Sequence, residues 1–167
     1  MDAKLAQLHV TLENAIRGMT LNDLTRHSGD KWTAAEILEH LNLTYIGTAR
    51  NFERCLASGR PRASADRRSQ RWARIVVTWL GYFPPGRKSP DRMCPRGTPA
   101  QQVTNEILQN LARMDAAIRE SETRFGKHGL LADHPALGPL TAAEWRKFHL
   151  VHGMHHAKQI LRLRENR

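Results

Sequence analysis

Cysteine is nearly absent from this chain: Cys55 and Cys94 are the only two in 167 residues, and neither lies in a Cys-x-x-Cys pair. That scarcity excludes a disulfide framework and fits a reducing cytoplasm. Long apolar runs are also missing. No window approaches the roughly 18 consecutive apolar residues of a membrane span. The opening Met1-Asp-Ala-Lys-Leu-Ala-Gln7 has no apolar signal core, so neither export nor membrane association is expected. No alternating strand pattern of useful length occurs. There is no Ser-His-Asp or Cys-His constellation, which leaves Cys55, mid-helix, and Cys94, in a loop, as incidental thiols. Acidic residues are scarce beside basic ones, 16 against 26, for a net charge of +10.

Much of the positive charge lies between residues 59 and 74, where Arg60, Arg62, Arg67, Arg68, Arg71 and Arg74 accompany a single acid, Asp66. A second basic stretch runs from Arg87 to Arg96 in a proline-rich loop. Such charge attracts anions: nucleic acid, a phosphorylated metabolite or an acidic thiol cofactor. The arginines lack the interleaved aromatics and glycines of RNA- and single-strand-binding modules. A solvated helix face is therefore the plainer reading, with nucleic acid a lesser alternative. Arg67, Arg68 and Arg71 remain candidates for steering an anionic substrate.

What the chain does have is helix signals. Its length sets one domain, 1–167, able to bury about two-thirds of its unfolded surface, and 40% hydrophobic residues supply a core. Thr33-Ala-Ala-Glu36 and Thr141-Ala-Ala-Glu144 read as capping boxes, in which threonine accepts a free N–H and glutamate reaches back. The repeated tetrapeptide reflects shared capping chemistry. Thr98-Pro99-Ala-Gln101 reads as a third start, with proline at the first helical position, and Ser64-Ala-Asp-Arg67 as a fourth. Leu5, Leu8, Leu12 and Ile16 recur at helical spacing. These signals predict helices over 3–17, 34–57, 65–81, 99–124 and 142–165, joined by loops at 18–32, 82–97 and 126–140. The expected architecture is all-α: an up-and-down four-helix bundle with an additional helix.

Four of the nine histidines fall between positions 149 and 156: His149, His152, His155 and His156. At about 100° per residue, His152 and His156 are only about 40° apart, one turn along the axis. Trp145, Phe148, Gln159 and Leu163 lie within about 40° of His152, whereas Arg146, Lys147, Lys158 and Arg164 are more than about 100° away. The two imidazoles and the Gln159 amide thus occupy the face expected to point inward. Burying them is costly unless their polar atoms meet hydrogen bonds or a metal. Two histidines at i and i+4 on one face can chelate one ion. His149 and His155 flank His152 by about 60° on either side, and either could substitute. For a third ligand, His27, His128 and His134 fall in predicted loops, and His9 follows its stripe only loosely. His40 shares a helix face with Thr44, Gly47 and Asn51, which leaves room for a cavity, and it is the best candidate.

These residues resemble the DinB/YfiT-like superfamily of small bundle metalloproteins. The likeness rests on Trp32-Thr-Ala-Ala-Glu-Ile-Leu-Glu-His40-Leu41, similar to that family's Trp-Ser/Thr start leading to His-Leu, and on His152-Gly-Met-His-His156-Ala-Lys-Gln159, similar to its HxxxHxxQ signature. The resemblance spans nearly the whole chain in helix order. It implies a bundle, often homodimeric, in which His40, His152 and His156 bind Zn²⁺, Ni²⁺ or a similar divalent ion, with Gln159 and His149 as accessory residues. Three protein ligands leave coordination positions open, as in catalytic rather than structural zinc sites. The resemblance further implies a small-molecule substrate and either hydrolysis or thiol-dependent transfer with a low-molecular-weight thiol. A non-catalytic metal- or nucleic-acid-binding bundle is the alternative.

Overall fold

The computed structural model describes residues 1–64 and 89–165. The expected helix 65–81, the start after Ser64 and the anion candidates Arg67, Arg68 and Arg71 lie outside the described residues. Within them, helix α1 spans Ala3–Ile16 and is capped by Asp2, whose side chain accepts the Lys4 N–H. Its stripe buries Leu5, Leu8, Leu12 and Ala15. Helix α3, Ala34–Ser58, starts at the expected box: Thr33 accepts the Glu36 N–H and Glu36 accepts the Thr33 N–H at 2.7 Å. It stops at Gly59, whose φ of 67° is the left-handed conformation that glycine adopts at least cost. Helix α4 covers Ala100–Phe125. Helix α5 covers Ala142–Glu165, and the Thr141–Glu144 box caps it reciprocally.

Three local features differ from expectation. The 18–32 connection contains a short helix, α2 (Leu21–Thr25), closed by a Thr20–Asp23 capping box. The 126–140 loop contains an antiparallel pair, β1 (Ala132–His134) and β2 (Gly138–Leu140), in which Ala132 faces Leu140 and His134 faces Gly138. Three-residue strands are too short to show alternation. Helix α4 begins one residue later than read, and no side chain caps it. The Thr98 hydroxyl instead donates to the Glu39 carboxylate across the fold.

Among the described residues, helix α3 packs most extensively on α4, and α1 on α5. The core between them holds Leu5, Leu8, Leu12, Leu38, Leu41, Tyr45, Phe52, Ile107, Leu111, Met114 and Ile118, all fully buried. Arg146 departs from its wheel position. It is buried, donates to Glu122 at 2.8 Å, and lies 3.8 Å from Asp2 and 3.9 Å from Asp115. Asp2, which caps α1, and Asp115 and Glu122 on α4 draw that guanidinium inward, an arrangement helical spacing alone does not reveal. Among the described residues no helix is long and apolar enough to cross a membrane.

Candidate metal centre

His40 sits in the second turn of α3, and His152 and His156 lie one turn apart on α5. Their ligand atoms all lie within 4.8 Å of one another, and all three residues are buried. The Nε2 of His152 is 3.1 Å from the Nε2 of His40 and 3.1 Å from that of His156. A tetrahedral ion with metal–nitrogen bonds near 2.0–2.1 Å places its ligand nitrogens about 3.3 Å apart. His152 Nε2 stands close to that spacing from both of its neighbours, and all the ligand atoms lie within 4.8 Å of one another.

The outer nitrogens fix which lone pairs face inward. His40 Nδ1 lies 2.7 Å from the Met93 carbonyl, which can only accept, so Nδ1 carries the proton and Nε2 the lone pair. His156 Nδ1 donates to Gln159 Oε1 at 2.7 Å, while Gln159 Nε2 lies 3.2 Å from His155 Nε2, consistent with donation to that ring. His156 Nε2 is therefore also a lone pair. His152 Nε2 carries at most one proton to share between two acceptors, so hydrogen bonding alone leaves the centre underdonated. A cation at the convergence point satisfies all three, and this donor set suits a borderline divalent ion such as zinc or nickel. The carbonyl and the amide are the outer partners that orient metal-bound imidazoles.

Burial pushes all three pKa values down. His40 is lowered by burial, against the opposing Met93 carbonyl. His156 falls to about 4 through burial and then the His40 charge. His152 is lowered well below the usual imidazole range by burial first and then by its histidine neighbours. All three are neutral near pH 7, the form that ligates.

The loop behind His40 is held by Glu39. Its buried carboxylate accepts the N–H groups of Arg96 (3.0 Å), Gly97 (3.2 Å) and Thr98 (3.2 Å) and the Thr98 hydroxyl. Burial alone would raise its pKa, but the Thr98 hydroxyl and the three amides outweigh that and hold it lowered. These bonds anchor the segment that begins with the 3-10 turn Asp91–Met93 and delivers the Met93 carbonyl.

The triad opens on a cavity of about 1380 Å³, whose wall includes Trp32, Thr44, Arg54, Arg92 and Phe148. His149 does not join the cluster. It is fully buried, with Nε2 3.1 Å from Thr48 Oγ1 and its ring stacked on Trp145 at 5.8 Å. His155 points past the triad toward Gln159. The sequence left the register among four histidines open, and the backbone brings together the pair at 152 and 156. Cys55 is buried against the Leu131 carbonyl, and Cys94 faces the carbonyls of Ser89 and Pro90.

Sequence reasoning missed Glu39, the Met93 carbonyl, Thr48 and His134. The first three act through distant or backbone partners that no local pattern marks. His134 had one signal: it precedes Pro135, which favours extended backbone and a turn. No curated protein and no solved structure matches the chain. A family model does match, that of the DinB superfamily, over residues 4–160, and the chain belongs to that superfamily.

Proposed function

We propose that this protein is a divalent-metal-dependent enzyme whose ligands are His40, His152 and His156, and that it transfers a group to or from a low-molecular-weight thiol. The observation that carries the reading is the meeting of three Nε2 atoms, two of them with the outer nitrogen engaged as donor. A divalent ion held there supplies Lewis acidity to a water or thiol nucleophile. The protein's own groups orient and enclose: Met93 and Gln159 fix the imidazoles, and Trp32 packs against His40 at 5.3 Å. Three protein ligands facing an open cavity suit catalysis better than a structural site. The cavity beside the triad, about 1380 Å³, leaves room for an organic thiol next to the ion.

Purified protein incubated with Zn²⁺ or Ni²⁺ should hold about one equivalent per chain. His152→Ala and His156→Ala should each abolish that uptake while helicity is retained, and His155→Ala should not. Uptake below a tenth of an equivalent, at ligand excess where a site of this kind saturates, removes the proposal. Turnover with water but with no thiol would reassign the centre as a hydrolase. The net charge of +10 supports a second reading, a non-catalytic nucleic-acid-binding bundle; salt-dependent binding to DNA or RNA with no turnover would favour it.

A further inference from the structure

His134 lies at the end of β1, in a segment whose sequence suggested only a loop. Its Nδ1 accepts the backbone N–H groups of Ala136 (3.2 Å) and Leu137 (3.1 Å) as the chain turns into β2. Two donors to Nδ1 leave the proton on Nε2, so the ring is locked in a single neutral tautomer with its N–H pointing away from the turn. Burial first, and the Arg92 charge second, hold its pKa down to about 4, and the ring stays neutral across the physiological range. Nε2 meets no hydrogen-bond partner among the described residues, and His134 lines the same cavity as the triad. One aromatic ring separates the two: Phe148 lies 4.3 Å from the His134 centroid and 5.3 Å from that of His152.

We propose that the His134 Nε2–H and the Arg92 guanidinium form a carboxylate-binding subsite that holds the far end of a ligand whose other end reaches the triad. This assignment rests on the metal-centre reading and names the substrate class of that site. A fixed neutral N–H and a guanidinium that line the same cavity can each donate to one oxygen of a carboxylate, and the charge-assisted bond is the strong one. Arg62, which also lines the cavity, adds positive charge beside β1, where its N–H bonds the Leu131 carbonyl. Asp133 precedes His134 and keeps a carboxylate close by, with Oδ1 taking the Ser64 N–H. That neighbouring charge disfavours a dianionic phosphate and favours a monoanion. The subsite's N–H is already aimed before any ligand arrives, so little ordering is needed on binding.

The test uses Co²⁺-loaded full-length protein, titrated with mercaptopropionate, mercaptobutyrate and mercaptohexanoate. Mercaptoalcohols of matching length serve as controls, and thiolate-to-cobalt absorption is the readout. One carboxylate length should bind about tenfold or more tighter than its alcohol, the gain of one charge-assisted contact. His134→Asn retains an acceptor for the turn amides but lacks the Nε2–H. It should lose that preference while binding the alcohols and cobalt as before. Equal binding of acids and alcohols in the wild type, or a preference unchanged by His134→Asn, overturns the subsite. Inorganic phosphate displacing the acid at equal concentration overturns the carboxylate assignment. Should cobalt fail to bind, the metal reading falls separately. The subsite then stands or falls on the imidazole ¹⁵N spectrum of metal-free protein, in which butyrate should shift the His134 Nε2 resonance and an absent shift overturns it.

Discussion

Gly153, between the two histidine-bearing turns of α5, faces Leu8 of α1. A Cβ built there would lie 2.3 Å from Leu8 Cδ1 and 3.0 Å from Cδ2, and Leu8 is fully buried. Gly153→Ala gains about 1 kcal/mol of helix propensity but overpacks this contact at a cost of about 1–3 kcal/mol. The net effect should be a lower thermal midpoint by a few degrees. Combining it with Leu8→Ala should reverse the sign of the glycine substitution, because the methyl then fills the space; a midpoint raised by the single substitution would show that Leu8 can move aside. The histidines give a second expectation at this scale. His149 is held at about 3 by burial and then the His134 charge, and His134 and His156 at about 4. In the unfolded chain they titrate near 6.5. The unfolded state therefore binds more protons as pH falls below about 6.5, so stability is complete above that value and is lost toward about pH 4. Each histidine contributes a slope of about 1.4 kcal/mol per pH unit in that window. The urea midpoint of metal-free protein should fall between about pH 7 and about pH 5, and a flat profile would contradict the burial described.

Among the elements, the 91–98 segment depends most on one side chain. Glu39 gathers three amides and a hydroxyl, and the segment it anchors supplies the carbonyl that sets the His40 tautomer. Glu39→Gln keeps the shape but turns charged acceptors into neutral ones and adds a donor facing three N–H groups. Metal affinity should drop about 10–100-fold, the range for outer-shell partners of metal ligands, with α3 still folded. Calorimetric Zn²⁺ titration beside far-ultraviolet circular dichroism measures both; unchanged affinity would mean that the Met93 carbonyl is held without Glu39. The same segment shows what a sequence can and cannot disclose. The Thr33 and Thr141 boxes were legible because donor and acceptor lie three residues apart, and the α5 stripe because its period is local. Thr98 looked like a third cap, but its hydroxyl was captured by a carboxylate 59 positions away. Arg146 and His134 misled for the same reason: their surroundings come from α1, α4 and a hairpin whose strands are too short to announce themselves. The pairing of His152 with His156 was readable within one helix, while the orienting carbonyl of Met93 was not, since any residue supplies a carbonyl.

At the scale of the whole molecule, the strongest pairings among the described residues are α3 with α4 and α1 with α5, and far less contact joins α3 to α5. The histidine cluster lies on that weak seam, with one ligand from α3 and two from α5. An ion bound there would cross-link the two pairs. Ligand that binds only the folded state adds about 2.7 kcal/mol at roughly one hundred times its Kd, which for a chain of this size is a rise of about 5–10 °C in thermal midpoint. The three ligands are not equivalent in this respect. His152 and His156 sit four apart on one helix, so a pair of them still binds metal weakly whenever α5 is helical, even with the bundle open. His40→Ala should therefore leave weak Zn²⁺ binding but abolish the thermal shift, because the remaining ligands no longer join the pairs. His156→Ala should abolish both. Differential scanning fluorimetry across a Zn²⁺ titration, beside equilibrium dialysis, distinguishes these outcomes. A full thermal shift in His40→Ala would mean that the ion is held by α5 alone and that the seam closes without it.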